Sequence, residues 1–122
     1  MTADSLIRDG YEIINMRITS VDLFMGDHGC MTLAMTMEGS GYGTVYGGYS
    51  LGHGYLGAKE FDGSEKSMPY IMNIMNVVGV ERFNDMKGKY VRVAIKGLGS
   101  PVKIIGNIIE DKWFDPESFF KN

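Results

Sequence analysis

Cys30-Met31-Thr32-Leu33-Ala34-Met35-Thr36-Met37-Glu38 alternates strictly, with Met31, Leu33, Met35 and Met37 on one parity and Thr32, Ala34, Thr36 and Glu38 on the other. Alternation of this kind marks a strand with one buried face, so the methionines are expected to point inward. Gly26-Asp27-His28-Gly29 ahead of it is a turn signal, and Tyr11–Phe24, rich in Ile, Val, Thr and Phe, reads as a strand. The two strands predict a hairpin. In the first, Ile14, Met16 and Ile18 share one face and Ile13, Arg17, Thr19 and Val21 the other.

Downstream, Gly43–Leu51 is expected to return as a third strand, with Val45, Tyr49 and Leu51 on one parity, before a loop over Gly52–Gly63. Ser67 as N-cap and Pro69 close behind open a helix. Its stripe is Met68, Ile71, Met72, Met75 and Val78, widened by Ile74 and Val77, and Gly79 ends it in a left-handed conformation. Val80–Gly88 reads as a short helical turn. Two strands follow: Lys89–Lys96, with Val91, Val93 and Ile95 inward and Tyr90, Arg92 and Lys96 outward, and Val102–Ile109 beyond a turn at Gly97–Pro101. The segment 111–122 holds Trp113, Phe114, Phe119 and Phe120, too many aromatics for a free end, so it should pack back on the sheet or on a second subunit. Residues 1–10 are expected to be loose. The order β-β-β-α-β-β implies an α+β fold in one domain over 1–122: a curled, mainly antiparallel sheet of about five strands, half-open and barrel-like, with one main helix packed across it.

Composition narrows the function. With 122 residues, 44% hydrophobic and 22% charged, the chain can bury a core without disulfides or a structural metal. Cys30 is the only cysteine, which excludes an internal disulfide and paired-cysteine zinc spacings and fits a reducing cytoplasm. No basic segment leads into an apolar run and no stretch is apolar enough to span a bilayer, so neither secretion nor membrane insertion is expected. Acidic residues dominate 1–65, whereas Lys66, Arg82, Lys87, Lys89, Arg92, Lys96 and Lys103 make 66–103 basic; the net charge of −3 argues against general nucleic-acid binding.

Gly52-His53-Gly54-Tyr55-Leu56-Gly57 matches the GxGxxG string of dinucleotide folds, but that motif must open a helix within a βαβ unit and no helical pattern follows. His28 and His53, with Cys30, Asp27 and Asp22, lack the spacing of a metal site, and no nucleophile, base or acidic pair occurs in a recognisable arrangement. The chain therefore reads as a non-enzyme without a cofactor. Most of the ten methionines fall on the inward faces of the second strand and the helix, where they are expected to pack the core.

The candidate binding segment is Gly39–Gly57, where eight glycines interleave with Tyr42, Tyr46, Tyr49 and Tyr55. Glycines let a ligand approach the backbone, and tyrosine rings can stack and donate hydroxyl hydrogen bonds. The competing account is a bent strand whose glycines sit at bulges and whose tyrosines half-cover the core. Arg92 and Lys96, with Lys103 on the neighbouring strand, could supply a phosphate-binding patch or be ordinary solvated residues.

Several passages carry a resemblance: Asp27-His28-Gly29-Cys30, Gly47-Gly-Tyr-Ser-Leu51, Val77–Val93 and Ile105–Pro116. Over roughly residues 11–116 the chain resembles a family of small bacteriophage and prophage proteins, most specifically in the Val-Gly-Val to Lys-Gly-Lys passage and in Asp-Lys-Trp-Phe-Asp-Pro. The resemblance assigns no activity and no site residue. It implies a phage product acting in the cytoplasm of an infected bacterium. In that setting the expected function is a non-enzymatic accessory binding protein that antagonises antiviral defence, in one form a homo-oligomer that sequesters a nucleotide-like ligand. Tyr42, Tyr46, Tyr49 or Tyr55 would stack the base, amides near Gly47 and Gly48 would meet the phosphates, and Arg92 or Lys96 would neutralise them. Two alternatives stand beside it: an inhibitor or adaptor that binds a host or phage protein, and a replication accessory with a single-strand-binding surface.

Overall fold

The computed structural model describes residues 1–97 and 99–122. Its spine is β1 (Glu12–Met25), which pairs through residues 12–17 with β6 (Tyr90–Ile95) and through residues 17–25 with β2 (Cys30–Gly39), both antiparallel. A 3-10 turn at Asp27–Gly29 closes the β1–β2 hairpin. Beyond β2 lie β3 (Tyr42–Gly47) and β4 (Gly52–His53) end to end, then β5 (Asp62–Gly63). Beyond β6 lie β7 (Ile104–Asn107) and β8 (Trp113–Phe114). The fold is α+β, with an antiparallel sheet curled into a half-barrel. Among the described residues eight strands are present where about five were expected; β4, β5 and β8 are two-residue segments too short to leave a periodic signal.

The methionine face of β2 points inward as its alternation requires: Leu33, Met35 and Met37 are fully buried. Ile14, Met16 and Ile18 of β1 join them. The register then slips between Ile18 and Ser20, leaving Thr19 as an extra residue whose hydroxyl donates to the Thr36 carbonyl. A bulge reverses the parity of everything after it. Val21, expected beside Ile13, instead faces Met35 and packs on the core.

Across the inner face lies α2 (Ser67–Val78), ended by Gly79 in the left-handed conformation. The Ser67 hydroxyl does not cap the helix; it donates to the Leu51 carbonyl, and Lys66 occupies the N-cap position. The buried face is Tyr70, Ile71, Ile74, Val77 and Val78, while Met68 and Met72 are exposed. The helix is rotated relative to the expected stripe because Tyr70 is drawn under the C-terminal aromatics. Fewer methionines therefore pack the core than their sequence positions suggest.

Residues 1–10, expected to be loose, form α1 (Ala3–Arg8). Thr2 and Ser5 cap each other's backbone amides, and Leu6 is buried against Ala94 and Ile104 with Tyr11, Ile13 and Trp113, a second small core on the outer face of β6–β7. Close sheet–ring approach makes this possible: a Cβ at Gly106 would collide with the Trp113 ring. At the other end Asp115 caps α3 (Pro116–Lys121), which brings Phe119 and Phe120 onto the main core. No described helix is long and apolar enough to cross a membrane.

Candidate functional site

The Gly/Tyr segment divides among three environments. Tyr42 and Tyr46 lie on the inner face of β3, and Tyr46 is fully buried opposite Met35. Val45 is 62% exposed on the outer face. The tight turn at Ser40–Gly41, with positive φ at both residues, sets this register regardless of which side chain is more apolar. Burial pushes the Tyr46 hydroxyl far above its ordinary pKa, with the neighbouring Tyr70 and Tyr49 hydroxyls adding to the shift. The hydroxyls of Tyr42, Tyr46 and Tyr70 are buried and hydrogen-bond to no protein group.

Gly47 and Gly48 both have positive φ, and a Cβ on Gly47 would collide with the Leu33 carbonyl oxygen. They turn the chain out of β3, and Tyr49 swings over the aromatic end of the core. Its ring centroid lies 5.7 Å from that of Tyr70 and 5.1 Å from that of Phe120. Phe114 and Phe119 extend the cluster. Lys66 donates to the Phe119 and Phe120 carbonyls at 2.9 and 3.3 Å, placing a cation at the C-terminus of α3.

The basic candidates lie on the opposite face of the sheet from Tyr46. Arg92 donates to the Asn107 and Glu110 carbonyls, both at 2.8 Å, and stacks over Trp113. It is a structural clamp on the β7–β8 connection. Lys96 sits 4.7 Å over the Tyr11 ring. Lys96 and Lys103 line one pocket of about 180 Å³ with Tyr11 and Ser100. Lys103 is also bound to Glu117 at 2.8 Å, which raises the ammonium's pKa and lowers that of the carboxylate. Arg92 and Lys96 are thus not brought to the Gly/Tyr segment, whereas Lys103 and its partner Glu117 lie within electrostatic reach of Tyr49.

Tyr55 alone of the four tyrosines is exposed, and further exposed apolar residues lie near it in the fold. Beyond the Thr19 bulge, Leu23 and Met25 continue the inner face opposite Leu33 and Met31, but no helix covers them and both are exposed. Phe24 is exposed on the outer face. The 54–61 loop adds Tyr55, Leu56 at 98% exposure and Phe61 at 61%. The parts adjoin: a Cβ on Gly29 would lie 3.3 Å from the Tyr55 ring, and Gly54 lies against the Phe61 ring. Met25, Met31, Leu51 and Phe61 line an apolar pocket of about 190 Å³. Beside it His53, Tyr55, Glu60, Phe61 and Asp62 line an open one of about 580 Å³. Glu60 and Asp62 line the open pocket, and Asp22, Asp27 and Lys59 are exposed on neighbouring stretches of the chain.

The signal for this patch was already in the sequence: Leu23-Phe24-Met25 just before a turn, and Tyr55, Leu56 and Phe61 in a loop. Hydrophobics in such positions, unable to reach a core, mark a surface. The GxGxxG string spans β4 and its loop and leads into β5, so no helix opens from it. Among the described residues no three His, Cys, Asp or Glu side chains are grouped to hold a metal ion. Comparisons with protein-family models, with curated proteins and with solved structures each found no match.

Proposed function

We propose that this chain is a non-enzymatic binding protein that docks a protein partner on the open end of its half-barrel. In the phage setting that the sequence resemblance implies, it is an accessory that antagonises host defence by occupying a host protein in the cytoplasm of the infected cell. The observation that carries this reading is the exposure of Leu23 and Met25 on the uncovered inner face, with Met25 and Phe61 lining one apolar pocket and Tyr55, Phe61, Glu60 and Asp62 the open one beside it. Contiguous apolar surface rimmed by polar residues is a common mark of a protein interface, and the acids favour a basic partner surface.

The test is capture from host lysate by the wild-type chain and by Leu56→Asp and Phe61→Ala. A stoichiometric partner, held by the wild type and lost from both variants without loss of folding, supports the reading. A partner retained by both variants contradicts it.

A nucleotide-like ligand remains the second reading, supported by the convergence of Lys96 and Lys103 on one pocket. Tyr11 lies against Lys96, and both Tyr49 and Tyr11 lie within electrostatic reach of Lys103, so Tyr11 joins Tyr49 as a candidate stacking ring. Mass spectrometry of ligand released from the purified protein and titration with cyclic nucleotides separate the two readings. Single-strand binding has less support, since Arg92 is held by backbone carbonyls and no exposed aromatic row runs beside a basic groove.

A further inference from the structure

The strand β3 is partnered on one side only. The Gly48 amide donates to the Leu33 carbonyl at 3.1 Å, and antiparallel alternation from that bond turns the main-chain groups of Thr44 and Tyr46 toward Met37 and Met35. Those of Gly43, Val45 and Gly47 therefore point away from the sheet, and among the described residues no strand pairs on that side. Open edges of this length are usually blunted by lysine, proline or a cover. Here residues 39–58 contain no Asp, Glu, Lys, Arg or Pro, and Val45 is 62% exposed.

The outward order Gly43, Val45, Gly47 reads the same in both directions. We infer that β3 pairs antiparallel with β3 of a second copy of this chain, about a two-fold axis at Val45. Val45 then exchanges both main-chain hydrogen bonds with its own equivalent, and Gly43 exchanges them with the equivalent of Gly47, about six bonds in all. The glycines leave the outer face clear on either side of the paired valines. Charge supports a self-contact here, because two chains of net charge −3 meet through a stretch free of acids. A foreign strand is a poorer occupant. Edge addition draws its specificity from pockets for alternate side chains, and glycine at 43 and 47 builds none.

Sedimentation of the full chain tests this, with Val45→Pro and Val45→Lys as variants. The Val45 amide does not face β2, so proline removes an outward donor and leaves the β2–β3 ladder in place. Lysine keeps the backbone and adds like charges across the axis. The wild type is expected to be a dimer, each variant to raise the dimer dissociation constant at least about tenfold, and Leu56→Asp to leave it unchanged. If Val45→Pro loses its far-ultraviolet circular dichroism, Val45→Lys carries the test. A monomeric wild type at high micromolar concentration, or a dimer that survives Val45→Lys, overturns the inference.

Discussion

One sheet has two ends with opposite fates. At the end formed by β6, β7 and β8, the inner face lies under α2 and α3, where Tyr70, Phe114, Phe119 and Phe120 pack ring against ring. At the other end the same inner face continues through Leu23 and Met25 and meets no helix. Both ends are apolar. The difference is that one has its cover among the described residues and the other lacks it, so the first is packed and the second stays exposed.

Breaking the covered end should cost most. Tyr70→Ala removes a fully buried ring touching Tyr49, Phe114 and Phe120, and should destabilise by about 3–5 kcal/mol in denaturant unfolding. Gly47→Ala, at the boundary between the regions, forces a Cβ onto the Leu33 carbonyl at positive φ and should cost about 1–3 kcal/mol by the same measurement.

Tyr46→Phe has the opposite sign. The hydroxyl it removes is buried and bonded to no protein group, so thermal unfolding should show stability held or raised by up to about 1 kcal/mol. A loss of partner binding in that variant would return Tyr46 to the binding site and blur the division between the two ends.

A pH titration sharpens the covered end further. Asp111 accepts from the Trp113 indole at 2.6 Å and from the Ala3 amide at 2.8 Å, and these bonds lower its pKa below 3.8. A depressed carboxylate pKa contributes stability above the unfolded value that is lost as pH falls through the folded one. Acidification below pH 3.8 should therefore change Trp113 fluorescence and loosen α1 while the main core stays folded. Asp111→Ala should show that altered fluorescence already at neutral pH. The smallest stability effect belongs to the open end: Leu56→Asp should shift unfolding by no more than about 0.5 kcal/mol.

The fold was legible where periodicity was strong and local. The alternation of Met31–Met37, the Val91–Ile95 strand and the Gly79 helix stop each carry their signal within a few residues. The parity of Val21 was not legible, because a one-residue bulge at Thr19 leaves no compositional trace. Nor was the inward face of β3: Val45 and Tyr46 are both strand formers, and the turn at Ser40–Gly41 decides between them. The helix face was not legible because Tyr70 answers to Phe114 and Phe120, more than forty residues away in sequence. Of the candidate site, Tyr55 emerged on an exposed surface, while Tyr46 and Tyr49 went to packing and Arg92 to backbone carbonyls. A list of stacking and basic residue types cannot show which side chains the core will claim.

Hydrogen exchange on the wild-type chain, free and bound to the partner recovered from host lysate, tests the division most directly. The account predicts slowed exchange at residues 23–31 and 52–63, with α2 and residues 104–121 unchanged. Protection confined to α2, α3 or the pocket between Lys96 and Lys103 would contradict it.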